Sequence, residues 1–280
     1  MENKNKMQNL LVRAASGLVL AVVVIGALLY SQWTFGLLLM AITIGGVGEF
    51  YKMSRAKGIE PQLAAGYVSA IAIFGVGFDY FFNGSAFNIH LLLFLMLILP
   101  LMFITELFKG GDRPLSNVGT TVLALIYVAV PMSMLAGVPL LLSGGEWNSL
   151  AMILYIVIIW SNDTFAYLVG VPFGKHRLNE RISPKKSWEG FFGGLVGAIL
   201  VSALAAYIID GSYVVWVGVG VITSLFGCLG DLVESMFKRT CGVKDSGNVL
   251  PGHGGWLDRF DGLIFSAPFV FVYLLLLGLL

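Results

Sequence analysis

The sequence predicts an all-α polytopic membrane protein of about nine transmembrane helices, with its N-terminus in the cytoplasm and its C-terminus outside. Of its residues, 58% are hydrophobic and 12% are charged, whereas soluble domains carry about 25% charged residues. Long apolar runs recur from about residue 14 to the end, and such runs form helices that cross a bilayer. Because the runs are continuous rather than alternating, they exclude a transmembrane β-barrel.

Each predicted span is a mainly apolar run of about the length that a membrane helix needs. In chain order the spans are residues 14–30, 33–48, 62–82, 88–108, 117–142, 149–170, 190–209, 213–236 and 262–280. The first run lacks a small-residue cleavage site and is expected to remain as a span.

The basic residues predict the orientation of these spans. All 17 lysines and arginines precede span one or follow spans two, four, six and eight. The loops after spans one, three, five and seven contain none. Since basic loops stay in the cytoplasm, the N-terminus is predicted inside. One missed or invented span would break this alternation, so the pattern also supports the odd count.

The two halves of the chain differ in character. Residues 1–145 have short polar loops and are predicted to be a scaffold of about five spans. Residues 146–280 hold two long cytoplasmic loops, 171–189 and 237–261, and are predicted to be the catalytic region. Two cysteines, Cys228 and Cys241, lack the spacing of a metal site and are predicted to be reduced thiols.

Span seven opens on a stripe of small residues. Gly190, Gly194 and Ala198 recur every four residues, as do Gly193 and Gly197. This spacing lets two helices approach closely. It fits packing within one protomer or contact between two copies, and packing within the protomer is the simpler interpretation.

Asp163 lies inside span six, next to Asn162, in the stretch WSNDTFAYLVG. An ionisable group in a membrane helix costs about 3 kcal/mol and marks a functional site by default. The alternative is a structural carboxylate that pairs within the bundle.

The loop GKHRLNERISPKKSWEG contains five basic residues. Ser183-Pro184 predicts a turn or a helix start. Lys185 and Lys186 would then lie near a helix N-terminus, where a phosphate would neutralise them. The alternative is a basic cytoplasmic loop that only follows topology and lipid charge.

The end of span eight reads GDLVESMFKR. Asp231 and Glu234 are three residues apart and share one helix face. Paired carboxylates at a membrane boundary suit a hard cation such as Mg²⁺. The alternative is a helix-end ion pair with Lys238 or Arg239.

The last polar stretch, KDSGNVLPGHGGWLDRFDG, precedes span nine. Five glycines fall between residues 242 and 255, and glycine lets backbone N–H groups approach a phosphate. Asp258 and Asp261 are again three apart and are predicted to share a face. Acidic side chains that can hold a metal, basic side chains and glycine N–H groups are together typical of sites for phosphoryl or nucleotidyl transfer. The chain has no Walker loop.

These residues resemble the signature of the phosphatidate cytidylyltransferases, the CDP-diacylglycerol synthases. The matching positions are Ser235–Arg239, Lys244-Asp245, Gly247, Leu250-Pro251, His253–Gly255 and Asp258–Asp261. The segments SNDTFAY and SPKKSWEG are also similar to that family. The first 145 residues agree with the family only in containing several spans.

The resemblance implies that CTP and phosphatidic acid give CDP-diacylglycerol and pyrophosphate in phospholipid biosynthesis. It implies Mg²⁺, with K⁺ as a second cation, and a homodimer in the bilayer. By position, Asp231 and Asp258 match the acids that hold the metals in this family.

The candidate site residues follow from the motifs and the resemblance. Predicted catalytic residues are Asp231, Asp258, Lys238, Arg239, Lys244 and Asp261. Predicted substrate-binding residues are Lys185, Lys186, Ser183, Asn162, Asp163, His253, Gly254, Gly255 and Arg259. Predicted metal ligands are Asp231, Asp258 and Glu234.

The predicted location is the cell membrane, with the site facing the cytoplasm and no nucleic-acid partner. Two other functions remain open at this point. A CTP-dependent lipid kinase of the polyprenol kinase type would release CDP instead of pyrophosphate. An anion transporter would place polar residues across the bilayer midplane, whereas all 17 basic residues of this chain are predicted on one side.

Overall fold

The computed structural model describes residues 2–84, 89–249 and 254–278. Ten α-helices and one π-helical segment make up most of these residues, and the two strands form a single hairpin. The helices are α1 (Glu2–Tyr30), α2 (Gln32–Arg55), α3 (Leu63–Asn83), α4 (Ile89–Lys109), α5 (Pro114–Ala124), α6 (Val130–Leu141), α7 (Ser149–Phe173), α8 (Trp188–Ile208), α9 (Tyr213–Cys241) and α10 (Leu257–Leu276). The strands are β1 (Arg177–Asn179) and β2 (Ser183–Ser187).

The prediction of an all-α polytopic membrane protein is confirmed. Among the described residues, seven helical segments are long and apolar enough to cross a membrane, counting α5 to α6 as one segment of 28 residues. The apolar part of α1, Ala14–Tyr30, is shorter. The total of nine spans and the sides of the two termini stay predictions.

Two helices extend beyond the apolar runs that predicted them. The predicted span 213–236 continues as helix to Cys241, and the predicted span 262–280 begins at Leu257. Asp231, Glu234 and Asp258 therefore all lie on helices. The predicted loop 237–261 is correspondingly shorter, because backbone hydrogen bonding continues past the point where hydrophobicity ends.

The predicted span 117–142 is interrupted by a π-helical segment, Leu125–Ala129. The Val130 N–H donates to the Leu125 carbonyl, five residues back. Pro131 follows directly and has no N–H to give to the carbonyl four residues before it. The wider turn therefore accommodates a residue that an α-helix interior excludes.

The loop between α7 and α8 contains the antiparallel hairpin β1–β2. Asn179 shapes its turn, since its Oδ1 accepts the Ile182 N–H at 3.2 Å. The interpretation of Ser183-Pro184 as a turn or helix start is wrong, because both residues lie in β2. The expectation that Lys186 lies next to a helix N-terminus is confirmed, since it directly precedes Ser187, the N-cap of α8.

The chain divides into two compact units. Unit 1 comprises residues 1–136 and 240–260, and unit 2 comprises residues 137–239 and 261–280. The segment 240–260 therefore groups with N-terminal helices rather than with the rest of the predicted catalytic region. The functional division of the chain at residue 145 stays a prediction.

Unit 1 contains a buried polar network around Glu106 of α4. Its Oε1 accepts the Asn117 side-chain amide at 2.5 Å, and its Oε2 accepts the Gln62 amide at 3.0 Å. Asn117 Oδ1 in turn accepts the Glu60 N–H at 2.8 Å. The network connects α4, α5 and the segment before α3, so the buried carboxylate is satisfied by hydrogen bonds.

Unit 2 is organised by close packing of α7 against α8. A Cβ atom on Gly190 would lie 2.9 Å from the Ala166 carbonyl oxygen and 3.1 Å from the Gly170 Cα. Side chains on Gly193 and Gly197 would collide with Val169 and Phe165. The small-residue stripe of α8 thus packs against α7 of the same protomer, as the simpler interpretation predicted.

We expect Gly190→Ala to destabilise the protein by about 1–3 kcal/mol, because the added methyl group pushes backbone against backbone. The matched control is Gly75→Ala in the middle of α3, where an added Cβ meets nothing within 4 Å. Alanine at that position should stabilise by up to about 1 kcal/mol through helix propensity. Melting temperatures in detergent measure both effects, and equal values for the two variants would contradict the packing account.

Candidate active site

Three acidic side chains of unit 2 converge at one place. Asp231 and Glu234 extend from α9, and Asp261 extends from α10. One carboxylate oxygen from each lies within 4.8 Å of the others. We call these residues the carboxylate cluster. Asp231 and Glu234 share a helix face, as their spacing predicted.

Glycine allows the two helices of the cluster to approach. A Cβ atom on Gly230 of α9 would lie 2.9 Å from the Asp261 carbonyl oxygen of α10. Gly227 and Gly262 lie opposite each other with no side chain between them. The rings of Phe226 on α9 and Phe269 on α10 also stack, with their centroids 3.5 Å apart. The Asp261 carboxylate is thereby held beside the two acids of α9.

Two lysines neutralise part of the cluster. Lys186 of β2 places its Nζ 2.5 Å from Asp231 Oδ2, and Lys238 forms an ion pair with Glu234 one helical turn away. The alternative interpretation of Glu234 as a partner of Lys238 is therefore also correct. Burial lowers the pKa of the Lys186 ammonium, but its attraction to Asp231 outweighs this, so the pKa lies above its ordinary value. Lys186 is therefore protonated at neutral pH.

The donor atoms of the cluster fit a hard divalent cation. Three carboxyl groups meet beside two ammonium groups, with Glu234 buried and with Asp231 and Asp261 half-buried. Mg²⁺ takes oxygen ligands and is commonly held by one or two carboxylates together with substrate phosphates. The residues present therefore fit the predicted Mg²⁺, and Asp261 belongs with Asp231 and Glu234 as a ligand candidate.

Asn162 and Asp163 lie on α7. The buried Asn162 Oδ1 accepts the Ser224 hydroxyl of α9 at 2.7 Å, and its amide lies 3.4 Å from Asp163 Oδ1. Asp163 itself is exposed on the surface of unit 2. Asn162 thus links α7 to the helix that carries Asp231 and Glu234, while the substrate-binding roles of both residues stay predictions.

Asp258 lies in unit 1, at the start of α10. Its Oδ2 accepts the Ser246 N–H, the Ser246 hydroxyl and the Gly255 N–H, each at 2.9 Å. Gly254 has a φ of +81°, and a side chain there would collide with Asp258. The carboxylate is therefore fixed in one orientation. Its predicted role as a metal ligand stays a prediction.

Glu49 of α2 is a buried acid that sequence reasoning missed. Its carboxylate accepts the Trp256 N–H at 2.9 Å, the Leu257 N–H at 3.0 Å and the Ser246 hydroxyl at 2.8 Å. The available signal was an acid directly after the predicted apolar span 33–48, a weaker signal than the position of Asp163 inside a span. Nothing in the spacing of the sequence connects Glu49 to residues near position 250.

Two glycines of the last polar stretch lie against a buried carboxylate. Side chains on Gly247 and Gly255 would collide with the Glu49 carboxylate. The Gly255 N–H already donates to Asp258. At these two positions glycine makes room for carboxylates, and the phosphate-binding roles of Gly254 and Gly255 stay predictions.

Four of the remaining candidates lie on exposed surface, and their predicted roles stay predictions. They are Lys185, Arg239, Lys244 and Arg259. Ser183 is half-buried in β2, where it pairs with Asn179. His253 lies outside the described residues, and its predicted role stays a prediction.

Comparisons with known proteins agree with the motifs. A sequence model described as "Cytidylyltransferase family" matches residues 11–277. A protein of Bacillus subtilis (strain 168) named "Phosphatidate cytidylyltransferase" is 33% identical over 268 residues, covering 94% of this chain and 97% of that protein. A protein of the same name from Staphylococcus aureus (strain COL) is 53% identical over 131 residues, covering 46% of this chain. The aligned part covers only 50% of the length of that staphylococcal relative. The resemblance inferred from the motifs is confirmed.

Proposed function

Because the chain belongs to the Cytidylyltransferase family, we propose that it transfers the cytidylyl group of CTP to phosphatidic acid, giving CDP-diacylglycerol and pyrophosphate. The name of the Bacillus subtilis relative supplies the substrate, phosphatidate, and the group transferred. The observation that carries the proposal is the carboxylate cluster, because three acids within 4.8 Å at the ends of membrane helices suit metal-assisted transfer between phosphates.

The reaction needs no protein nucleophile. An oxygen of the lipid phosphate attacks the α-phosphorus of CTP, and a new P–O bond forms there. The bond from the α-phosphorus to the bridging oxygen of the β-phosphate breaks, and pyrophosphate leaves with that electron pair. The protein has to hold two anionic substrates together and stabilise charge as it moves to the leaving group.

Asp231, Glu234 and Asp261 would hold Mg²⁺, which when bound would supply positive charge for the phosphate oxygens and the leaving pyrophosphate. The protonated Lys186 holds Asp231 in place through its 2.5 Å ion pair, and the Ser235 hydroxyl donates to Asp231 at 3.3 Å. The role of Asp258 as a metal ligand and that of K⁺ as a second cation rest on the family motif.

The exposed basic residues are proposed to receive the phosphates. Lys185 is on the hairpin next to Lys186, and Arg239 is in the last turn of α9 after Lys238. Lys244 and Arg259 flank the glycine-rich segment. Cationic side chains at these positions would offset the charge of CTP and of the lipid headgroup.

The site is proposed to face the cytoplasm from the cell membrane. CTP is a cytosolic nucleotide, and every basic residue of the predicted loops lies on the side predicted as cytoplasmic. A homodimer is part of the same proposal and rests on the family alone.

The test of the function is a purified-protein assay with CTP, phosphatidic acid and Mg²⁺. Equal amounts of pyrophosphate and lipid-bound cytidine are expected. Release of CDP with a phosphorylated lipid would instead identify a lipid kinase. Solute uptake into proteoliposomes without consumption of CTP would identify a transporter.

The orientation predicts a difference between two vesicle preparations. Inside-out membrane vesicles should use externally added CTP, while sealed right-side-out vesicles should not until a detergent opens them. Turnover in intact right-side-out vesicles would contradict a cytoplasmic site. Latency of a known cytoplasmic enzyme in the same preparation checks that the vesicles are sealed.

A further inference from the structure

Glu49 is a buried acid of unit 1 that accepts three hydrogen bonds and that the proposed mechanism does not use. It lies near the C-terminal end of α2 with 6% of its surface exposed. Its three donors, on Ser246, Trp256 and Leu257, are 197, 207 and 208 residues further along the chain. A carboxylate so buried and so remote in sequence from its partners fixes the position of a distant segment.

The first consequence of these contacts concerns the start of α10. The N–H groups of a first helical turn have no acceptors within the helix. Glu49 accepts the N–H groups of Trp256 and Leu257, directly at the beginning of α10. A negative charge there is also favoured by the helix dipole. Glu49 therefore caps α10 from another helix and sets where that helix begins.

The second consequence concerns Asp258, through the hydroxyl of Ser246. Ser246 Oγ lies 2.8 Å from Glu49 Oε2 and 2.9 Å from Asp258 Oδ2. A serine hydroxyl has one hydrogen and can donate it to only one of two acceptors at a time. When the Ser246 hydroxyl donates to Glu49 it does not donate to Asp258, so a change at Glu49 alters the hydrogen bond that Asp258 can accept.

We propose that Glu49 is a positioning residue for cytidylyl transfer, which acts through Ser246 and the start of α10 to fix the orientation of the Asp258 carboxylate. The inference rests on the proposed function, because it requires Asp258 to take part in the transfer. Glu49 stays out of contact with the substrates in this role, and Ser246 is its intermediary.

The test compares Glu49→Gln with Glu106→Gln. Glutamine presents an NH₂ group where one carboxylate oxygen accepted a hydrogen bond, so at least one donor of the segment 246–257 loses its acceptor. We expect kcat/KM to fall about 10- to 100-fold, the usual cost of losing a residue that orients a ligand. The Mg²⁺ concentration for half-maximal activity should rise. This concentration is a useful measure because it does not depend on the fraction of active molecules.

Glu106 is the matched control, because it is another buried acid of unit 1 with two side-chain donors. Glu106→Gln should lower the melting temperature but leave the Mg²⁺ profile unchanged. Hydrogen exchange of the 254–258 amides should increase in Glu49→Gln alone. The proposal would be overturned if Glu49→Gln had the same Mg²⁺ profile and the same turnover per folded molecule as the wild type.

Ser246→Ala provides a second test, which also applies if Glu49→Gln does not fold. Alanine removes the bridging hydroxyl and keeps the Ser246 N–H bond to Asp258. We expect about a 10-fold loss of kcat/KM, with no loss in the control Ser54→Ala, whose buried hydroxyl only donates to the Phe50 carbonyl of its own helix. Unchanged activity of Ser246→Ala would contradict the relay.

The double variant separates the relay from independent effects. If Glu49 acts through Ser246, Glu49→Gln should cost less in the Ser246→Ala background than in the wild type. Losses that simply multiply would overturn the proposal. A wild-type protein that makes no lipid-bound cytidine would contradict the proposed function itself, and the role of Glu49 would fail with it. An active wild type with unaffected variants overturns the Glu49 proposal alone.

Discussion

Asp231→Asn is expected to lower kcat by about 100- to 1,000-fold, because one charged element of a preorganised site contributes about that much. Asparagine has nearly the same size, so the helix packing of α9 should persist. The substitution removes one negative charge from the carboxylate cluster and leaves Lys186 without its ion-pair partner. Both changes weaken the site for a divalent cation. Turnover should be measured over a range of Mg²⁺ concentrations.

Asp210→Asn is the control for this variant. Asp210 is an exposed acid of unit 2 that follows the C-terminal end of α8, whereas Lys186 precedes the N-terminal end of that helix. Its φ is +52°, a left-handed conformation that asparagine adopts readily. The turnover of Asp210→Asn should match that of the wild type. Near-normal turnover of Asp231→Asn at every Mg²⁺ concentration would show that the carboxylate cluster is not the catalytic site.

Asp258→Asn is expected to fold but to lose turnover by at least about 100-fold. The asparagine oxygen can accept the same donors from Ser246 and Gly255, so the segment around them should stay closed. The substitution removes only the negative charge of the Asp258 carboxylate. Kinetics and melting temperature measured on the same preparation distinguish loss of charge from loss of fold.

The matched control is Asp112→Asn, in the loop between α4 and α5. Asp112 is an exposed acid of the same unit, and its replacement should change neither stability nor turnover. If Asp258→Asn behaved like Asp112→Asn, Asp258 would be neither a metal ligand nor a catalytic residue. The positioning role proposed for Glu49 would then have no target.

The helices could be predicted from the sequence because long apolar runs have few alternatives in a bilayer. Their ends could not be predicted as well. The polar final turns of α9 and the polar first turn of α10 look like loop by composition. They are helical because the backbone hydrogen bonds continue through Lys238 and Arg239, and because Glu49 caps α10 before Asp258.

The candidate site was predictable where it depended on local spacing. Asp231 and Glu234 share a face at three residues apart, and the structure places them together. Asp261 joins them only because glycines let α9 and α10 touch, which is a tertiary effect. The spacing of Asp258 and Asp261 predicted a common helix face. It gave no information on the hydrogen bonds that Asp258 accepts from Ser246 and Gly255.

Two features were not predicted from the sequence. Glu49 meets its partners across about two hundred residues, and only its position directly after an apolar span marked it as unusual. The SPKKS strand was also missed, since proline and serine favour turns in isolation. The pairing of β2 with β1 overrides that preference and leads into Ser187, the N-cap of α8.

The most direct test of cytidylyl transfer follows the phosphorus atoms of CTP. Purified protein is incubated with phosphatidic acid, Mg²⁺ and CTP labelled either at the α- or at the γ-phosphate. The account predicts that the α-label appears in the lipid and the γ-label in pyrophosphate, with both products lost in Asp231→Asn. A γ-label in the lipid, or transfer that survives in Asp231→Asn, would contradict it.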